Sequence, residues 1–167
     1  MDKFKNLKKD SFLADLPVIS LESDTNKLTE RCKFNFSYFT SEQEHASDFS
    51  DLSELELLKL LNKLKHYSVE PLDYWTTQSI GSGKKRRMLL EFYGEFPSKS
   101  EFEFPKHIPH EVLWGRFRLE SDDRLIGFVV PDEFHNTYHE KTGFQFDKNT
   151  FYVVFIDKNH KFYPSKK

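Results

Sequence analysis

Six residues in the last third of the chain have types and spacing suited to phosphate-ester chemistry: Arg116, Arg118, Arg124, His160, Lys161 and Tyr163. Cleavage of RNA by its own 2′-hydroxyl needs a base for the hydroxyl proton and an acid for the departing 5′-oxygen. It also needs fixed cations for the charge on the phosphorane oxygens. Three guanidiniums, an imidazole, an ammonium and a phenol supply those parts, and an aromatic ring can stack on a base. The plain alternative is a solvated strand face, with the arginines paired to Glu120, Asp122 or Asp123.

These groups meet only if the chain forms the right ribbon. Val112–Glu120 alternates, with Leu113, Phe117 and Leu119 pointing one way and Trp114, Arg116 and Arg118 the other. Ser121-Asp122-Asp123 reads as a turn. Arg124–Pro131 is apolar on both faces and reads as a central strand. An antiparallel partner opening at Arg124 sets that side chain close to Arg118. Phe151–Ile156 reads as the next strand, and the turn Asp157-Lys158-Asn159 delivers His160 and Tyr163 to the same edge.

The upstream half supplies the scaffold. Cys32–Tyr38 alternates strictly and reads as a half-buried strand. Ser53–Lys65 reads as a helix, with leucine at 55, 57, 58, 60, 61 and 64 and a capping box formed by Ser53 and Glu56. A shorter helix is expected from Ser68, with Pro71 in its first turn and Tyr74 and Trp75 packing inward. Met88–Tyr93 and Glu101–Phe104 read as strands, Lys106–His110 as a loop and His135–Lys148 as a polar excursion. Residues 1–30 show no sustained period and read as an arm, with a short strand near Val18–Leu21. Residues 31–167 then make one α+β domain.

Three further constellations could carry function. Lys84, Lys85, Arg86 and Arg87 follow Gly81-Ser82-Gly83 and could grip phosphates, or form an exposed loop; the spacing of a nucleotide-binding phosphate loop is absent. His135 with His139, and His107 with His110, lack the flanking pattern of a zinc site, so no metal and no cofactor is expected. Phe92, Tyr93, Phe96, Phe102 and Phe104 could stack on bases, but aromatics at alternate strand positions pack inward, so they read as core.

Composition narrows the classes. The chain has 167 residues, 18 of them Phe, which is enough aromatic surface for a sizeable core and argues against disorder. Net charge is -2, so nucleic acid must be drawn by a local patch. Residues 1–83 carry ten Lys and Arg against fourteen Asp and Glu, whereas residues 84–167 carry fifteen against thirteen. The cationic excess therefore lies with the candidate groups. Cys32 is alone, which rules out an internal disulfide. The N-terminal residues have no signal-peptide core, and the longest apolar runs, Leu125–Val130 and Phe151–Ile156, are too short to span a bilayer. A cytoplasmic protein is expected.

The order Trp114-Gly115-Arg116-Phe117-Arg118-Leu119, then Arg124-Leu125-Ile126-Gly127-Phe128, then Phe151–Ile156 with its tail through Tyr163, resembles the C-terminal half of RelE/ParE-type toxins. The resemblance spans residues 53–163 in order of elements, with its recognisable residues within 114–163. It implies a curved antiparallel β-sheet with helices packed on one face, here with an N-terminal extension. It also implies metal-independent cleavage of messenger RNA, with RNA, the ribosome and an antitoxin protein as partners. By the same resemblance Arg118 and Arg124 match phosphate-stabilising arginines. His160, Lys161 and Tyr163 match the tail that supplies acid, base and stacking groups. RNA contacts are then expected at Lys84, Lys85, Arg86, Arg87, Arg116 and Trp114. Relatives of ParE type act on gyrase instead, and the aromatic excess also suits a non-catalytic protein-binding module of toxin-like fold.

Overall fold

The computed structural model describes Leu21 and residues 27–83, 86–119 and 123–164. The strand expected near Val18–Leu21 lies, but for Leu21, outside the described residues, as do Lys84, Lys85 and the turn residues Ser121 and Asp122.

The elements run β1 (Lys33–Asn35), α1 (Glu54–Tyr67), α2 (Leu72–Thr77), β2 (Ser79–Ile80), β3 (Arg87–Met88), β4 (Leu90–Gly94), β5 (Leu113–Arg118), β6 (Arg124–Val129) and β7 (Thr150–Asp157). The main sheet is ordered β1-β7-β6-β5-β4, and β2 pairs with β3 as a separate ribbon. The architecture is α+β, but the sheet is mixed rather than all antiparallel. β1 runs parallel to β7 at one edge, with Phe34 opposite Phe151. The remaining pairings of the main sheet are antiparallel.

Ser53 caps α1 as its spacing predicts. Its hydroxyl accepts from the Glu56 amide, and the Glu56 carboxylate accepts from the Ser53 amide. Leu60 and Tyr67 of α1, with Leu72 and Trp75 of α2, pack on Phe117, Leu125, Phe151, Val153 and Ile156. Tyr74 does not join them. It is exposed, while Trp75 is buried and donates its indole N–H to the Tyr67 carbonyl at 2.8 Å.

The opposite face is closed by chain without regular structure. Phe102, Ile108 and Phe162, with Phe96 and Phe104, cover Trp114, Ile126, Phe128, Val154 and Phe155. The expected strand Glu101–Phe104 is therefore a loop. Its backbone is satisfied by a side chain instead: the Gln43 amide accepts from the Glu103 N–H at 2.8 Å and donates to the Glu103 carbonyl at 2.9 Å. Trp114 was expected at an RNA surface, but it is 1% exposed and ringed by Phe96, Phe104, Phe128 and Phe162. It serves the core.

A bulge sets the register that matters for function. Ile126 pairs with Phe155 while Gly127 pairs with Val153, leaving Val154 as the extra residue of β7. The Val154 carbonyl accepts from the Thr40 N–H at 3.0 Å. Phe151 and Val153 face the helices; the extra residue reverses the parity, so Ile156 faces them too and Asp157 falls on the other side. Gly127 permits the close crossing. A Cβ there would lie 2.2 Å from the Tyr152 carbonyl oxygen.

Candidate functional site

Arg118 and Arg124 are directly opposed at the turn end of the β5–β6 hairpin. Both belong to the face away from the helices, by the alternation that buries Phe117 and Leu125 on the helix side. The backbone at Arg118 is held from two directions. Its N–H donates to the Leu89 carbonyl at 2.8 Å, and its carbonyl accepts from the Tyr67 hydroxyl at 2.6 Å. The end of α1 thereby fixes the end of β5.

Asp157 stands opposite Arg124 on β7 and is 1% exposed. Its carboxylate organises the tail. One oxygen accepts from the amides of Asn159 at 3.0 Å and Lys161 at 3.1 Å, and the other from the amide of Phe162 at 2.9 Å. This wrapping requires a left-handed residue, and His160 takes it with φ 55°. The imidazole turns back onto the sheet, where Nε2 lies 3.0 Å from Nη2 of Arg124. Nη1 of the same guanidinium donates to the Asp123 carbonyl at 2.7 Å. A guanidinium has only donors, so in this contact Nε2 is the acceptor.

The other sequence-predicted groups divide. Tyr163 stacks on Tyr93 at 4.3 Å between ring centroids, with planes 3° apart, and keeps 47% of its surface exposed. Arg116 lies over the same Tyr93 ring at 5.5 Å. It is tied to Glu91, with Nε at 3.0 Å from the carboxylate and Nη2 also bonded. Lys161 is joined to Glu101 at 2.8 Å. Arg86 donates to Ser79 at 2.7 Å, and Arg86 and Arg87 are both exposed on the small ribbon.

Arg118 is 8% exposed, and its Nε has no hydrogen-bond partner. Burial lowers its pKa, and the charges of Arg116 and Arg87 lower it further, while Glu91 opposes them. The end of the sheet thus carries a concentration of positive charge. Burial likewise raises the Tyr93 phenol well above its ordinary range.

The tail and the ribbon do converge, through His160 on Arg124 and through Tyr163 on Tyr93 beneath Arg116. Asp157 and Glu91, which sequence reasoning did not single out as site residues, take part in that arrangement, as does Tyr93, which was read as core. For Asp157 a signal was present: an Asp whose side chain bonds the amide two residues on is a common turn device, here at Asp157-Lys158-Asn159.

The histidine pairs do not form a ligand set. His107 stacks on Tyr38 and His110 on Phe104, while His135 Nδ1 accepts from the Lys148 amide. Among the described residues no group of at least three His, Cys, Asp or Glu side chains could hold a metal ion, and no helix is long and apolar enough to cross a membrane.

Comparison with protein-family models, curated proteins and solved structures finds no match to this chain.

Proposed function

We propose that the protein is a RelE-like endoribonuclease that cleaves RNA by 2′-hydroxyl attack without a metal. The supporting observation is the contact between His160 and Arg124 beside the opposed Arg118. Arg86 and Arg87 lie exposed on the approach, and a backbone phosphate reaches Arg118 once that buried guanidinium, whose Nε is unbonded, turns outward. The phosphate oxygens compete for the N–H that Arg124 gives to His160 and so release Nε2. The imidazole then takes the 2′-hydroxyl proton, and the 2′-oxygen bonds to phosphorus. The bond to the 5′-oxygen breaks, and that oxygen receives a proton from the tail, where Lys161 and Tyr163 are the donors. Products are a 2′,3′-cyclic phosphate and a 5′-hydroxyl. Tyr163, backed by Tyr93, offers an exposed ring for a base.

A non-catalytic protein-binding module is the second reading. It is favoured by Leu55, Leu58 and Leu61, which leave 61%, 54% and 56% of their surface exposed on α1. Induced expression in a bacterial host separates the two. The nuclease reading expects growth arrest with loss of messenger RNA, relieved by Arg118→Ala and by His160→Ala. Unimpaired growth with intact RNA favours the binding module.

A further inference from the structure

The same sheet face that carries Arg118 and His160 at one end holds a cavity of about 280 Å³ at the other. That size is near the lower end for small-ligand sites. Tyr38, Phe128, Tyr152, Phe134 and Phe146 line it, with the exposed Glu111 at its rim.

The ring geometry is specific. Tyr38 stands almost perpendicular to Tyr152, with centroids 5.8 Å apart and planes at 85°. It meets Phe128 at 5.1 Å and 73°. Phe134 and Phe146 form a second corner at 5.8 Å and 69°. The elements that make these corners come from distant parts of the chain: the stretch after β1, the middle strands β6 and β7, and the excursion between them.

Charge decides what such a box can hold. The face of each ring carries the negative part of an aromatic quadrupole. Glu111 is the one acidic or basic side chain lining the cavity, and it enters no ion pair among the described residues. No Lys or Arg lines it. His107 lies against Tyr38, rings parallel at 5.8 Å. Walls and rim therefore both favour a cation. Aromatic rings dominate the lining, so the cation that fits is one whose charge is spread over methyl groups.

We propose that this cavity binds a methylated ammonium group, held by the Tyr38, Tyr152, Phe128, Phe134 and Phe146 rings and by the Glu111 carboxylate. The group could be carried by a free solute of choline type or by a trimethylated lysine in a protein tail; the chemistry recognised is the same. The site is separate from the cationic cluster and does not depend on the nuclease reading.

The test is calorimetric titration of the full chain with choline, with a trimethyl-lysine peptide, and with the neutral tert-butyl isostere of choline. At least one of the cations saturates, and the isostere binds about tenfold more weakly or not at all. Tighter binding of choline assigns the free solute, and tighter binding of the peptide assigns a protein source. Glu111→Gln and Phe134→Leu, both at exposed positions, weaken the cation severalfold with unchanged thermal melting. Equal binding of the isostere, or no saturable binding of either cation, overturns the proposal.

Discussion

His160 and Arg124 come from segments 36 residues apart and meet at 3.0 Å, imidazole Nε2 to guanidinium Nη2. Two devices bring this about. The Val154 bulge puts Asp157 on the arginine face, and the Asp157 carboxylate then folds the tail so that His160 points back at the strand before it.

Asp157 is the structural keystone of that arrangement. Asp157→Asn replaces a charged acceptor of three amide bonds with one that can serve fewer. A loss of about 2 kcal/mol is expected, with larger effects on activity than on fold content. Urea unfolding checks it: the midpoint falls while the slope stays constant.

Gly127 gives a second packing test. Gly127→Ala drives a methyl into the Tyr152 carbonyl at 2.2 Å and into the Phe151 ring at 2.6 Å. Strands β6 and β7 must separate or slip, at a cost of roughly 3 kcal/mol. Differential scanning calorimetry should show a clear drop in the melting temperature. The exposed Gly143, where nothing lies within 4 Å, provides the contrast, since Gly143→Asn meets no clash and tolerates its φ of 69°.

The pH dependence has a defined direction at Glu56. Bonds from Lys158 and Ser53 hold its carboxyl at about 2, against an ordinary value of 4.5. A depressed carboxyl stabilises the folded state above its unfolded pKa, and that contribution is lost as pH falls through the folded value. Melting temperature should therefore decline between pH about 4.5 and about 2, and Glu56→Gln should flatten that part of the curve. The change also loosens the junction of α1 with the tail, because Glu56 bonds Lys158 at 2.6 Å.

Cys32 provides a readout of global opening. Burial pushes its thiol up to about 12, and the thiol donates to the Tyr67 carbonyl at 3.1 Å. The thiolate is the reactive form. At pH 8 the folded protein should resist a disulfide reagent, with reaction appearing only as urea unfolds it. Since the folded thiol ionises later than the unfolded one, its protonated form favours folding up to pH about 9, and that advantage fades as pH rises further.

Much of the scaffold could be read from residue patterns. Ser53 and Glu56 announced the start of α1, and the alternation of Leu113 to Leu119 assigned each side chain to its face. Strand order suggested that tail and ribbon share an edge, but the contact itself depends on the Val154 bulge and the Asp157 carboxylate. Other features depend on contacts that sequence spacing does not encode. A three-residue strand cannot declare that it pairs parallel to β7, since its partner is more than a hundred residues away. Glu101–Phe104 has the alternation of a strand, but the Gln43 amide occupies the backbone positions a neighbouring strand would need. Arg116 looked as available as Arg118, yet Glu91 sits opposite it on β4 and takes its guanidinium. Trp114 shared a face with the arginines, and only the fold of the Phe96–Phe104 loop buried it.

The most direct test of the nuclease reading is the chemistry of the RNA ends. Purified protein is incubated with single-stranded RNA in the presence of a chelator, and the products are analysed by mass spectrometry. The account predicts 2′,3′-cyclic phosphate and 5′-hydroxyl ends, with the rate reduced at least about a hundredfold in Arg118→Ala and in His160→Ala, while both variants remain folded at the assay temperature. Full cleavage by both variants, or intact RNA with the folded parent protein, contradicts it.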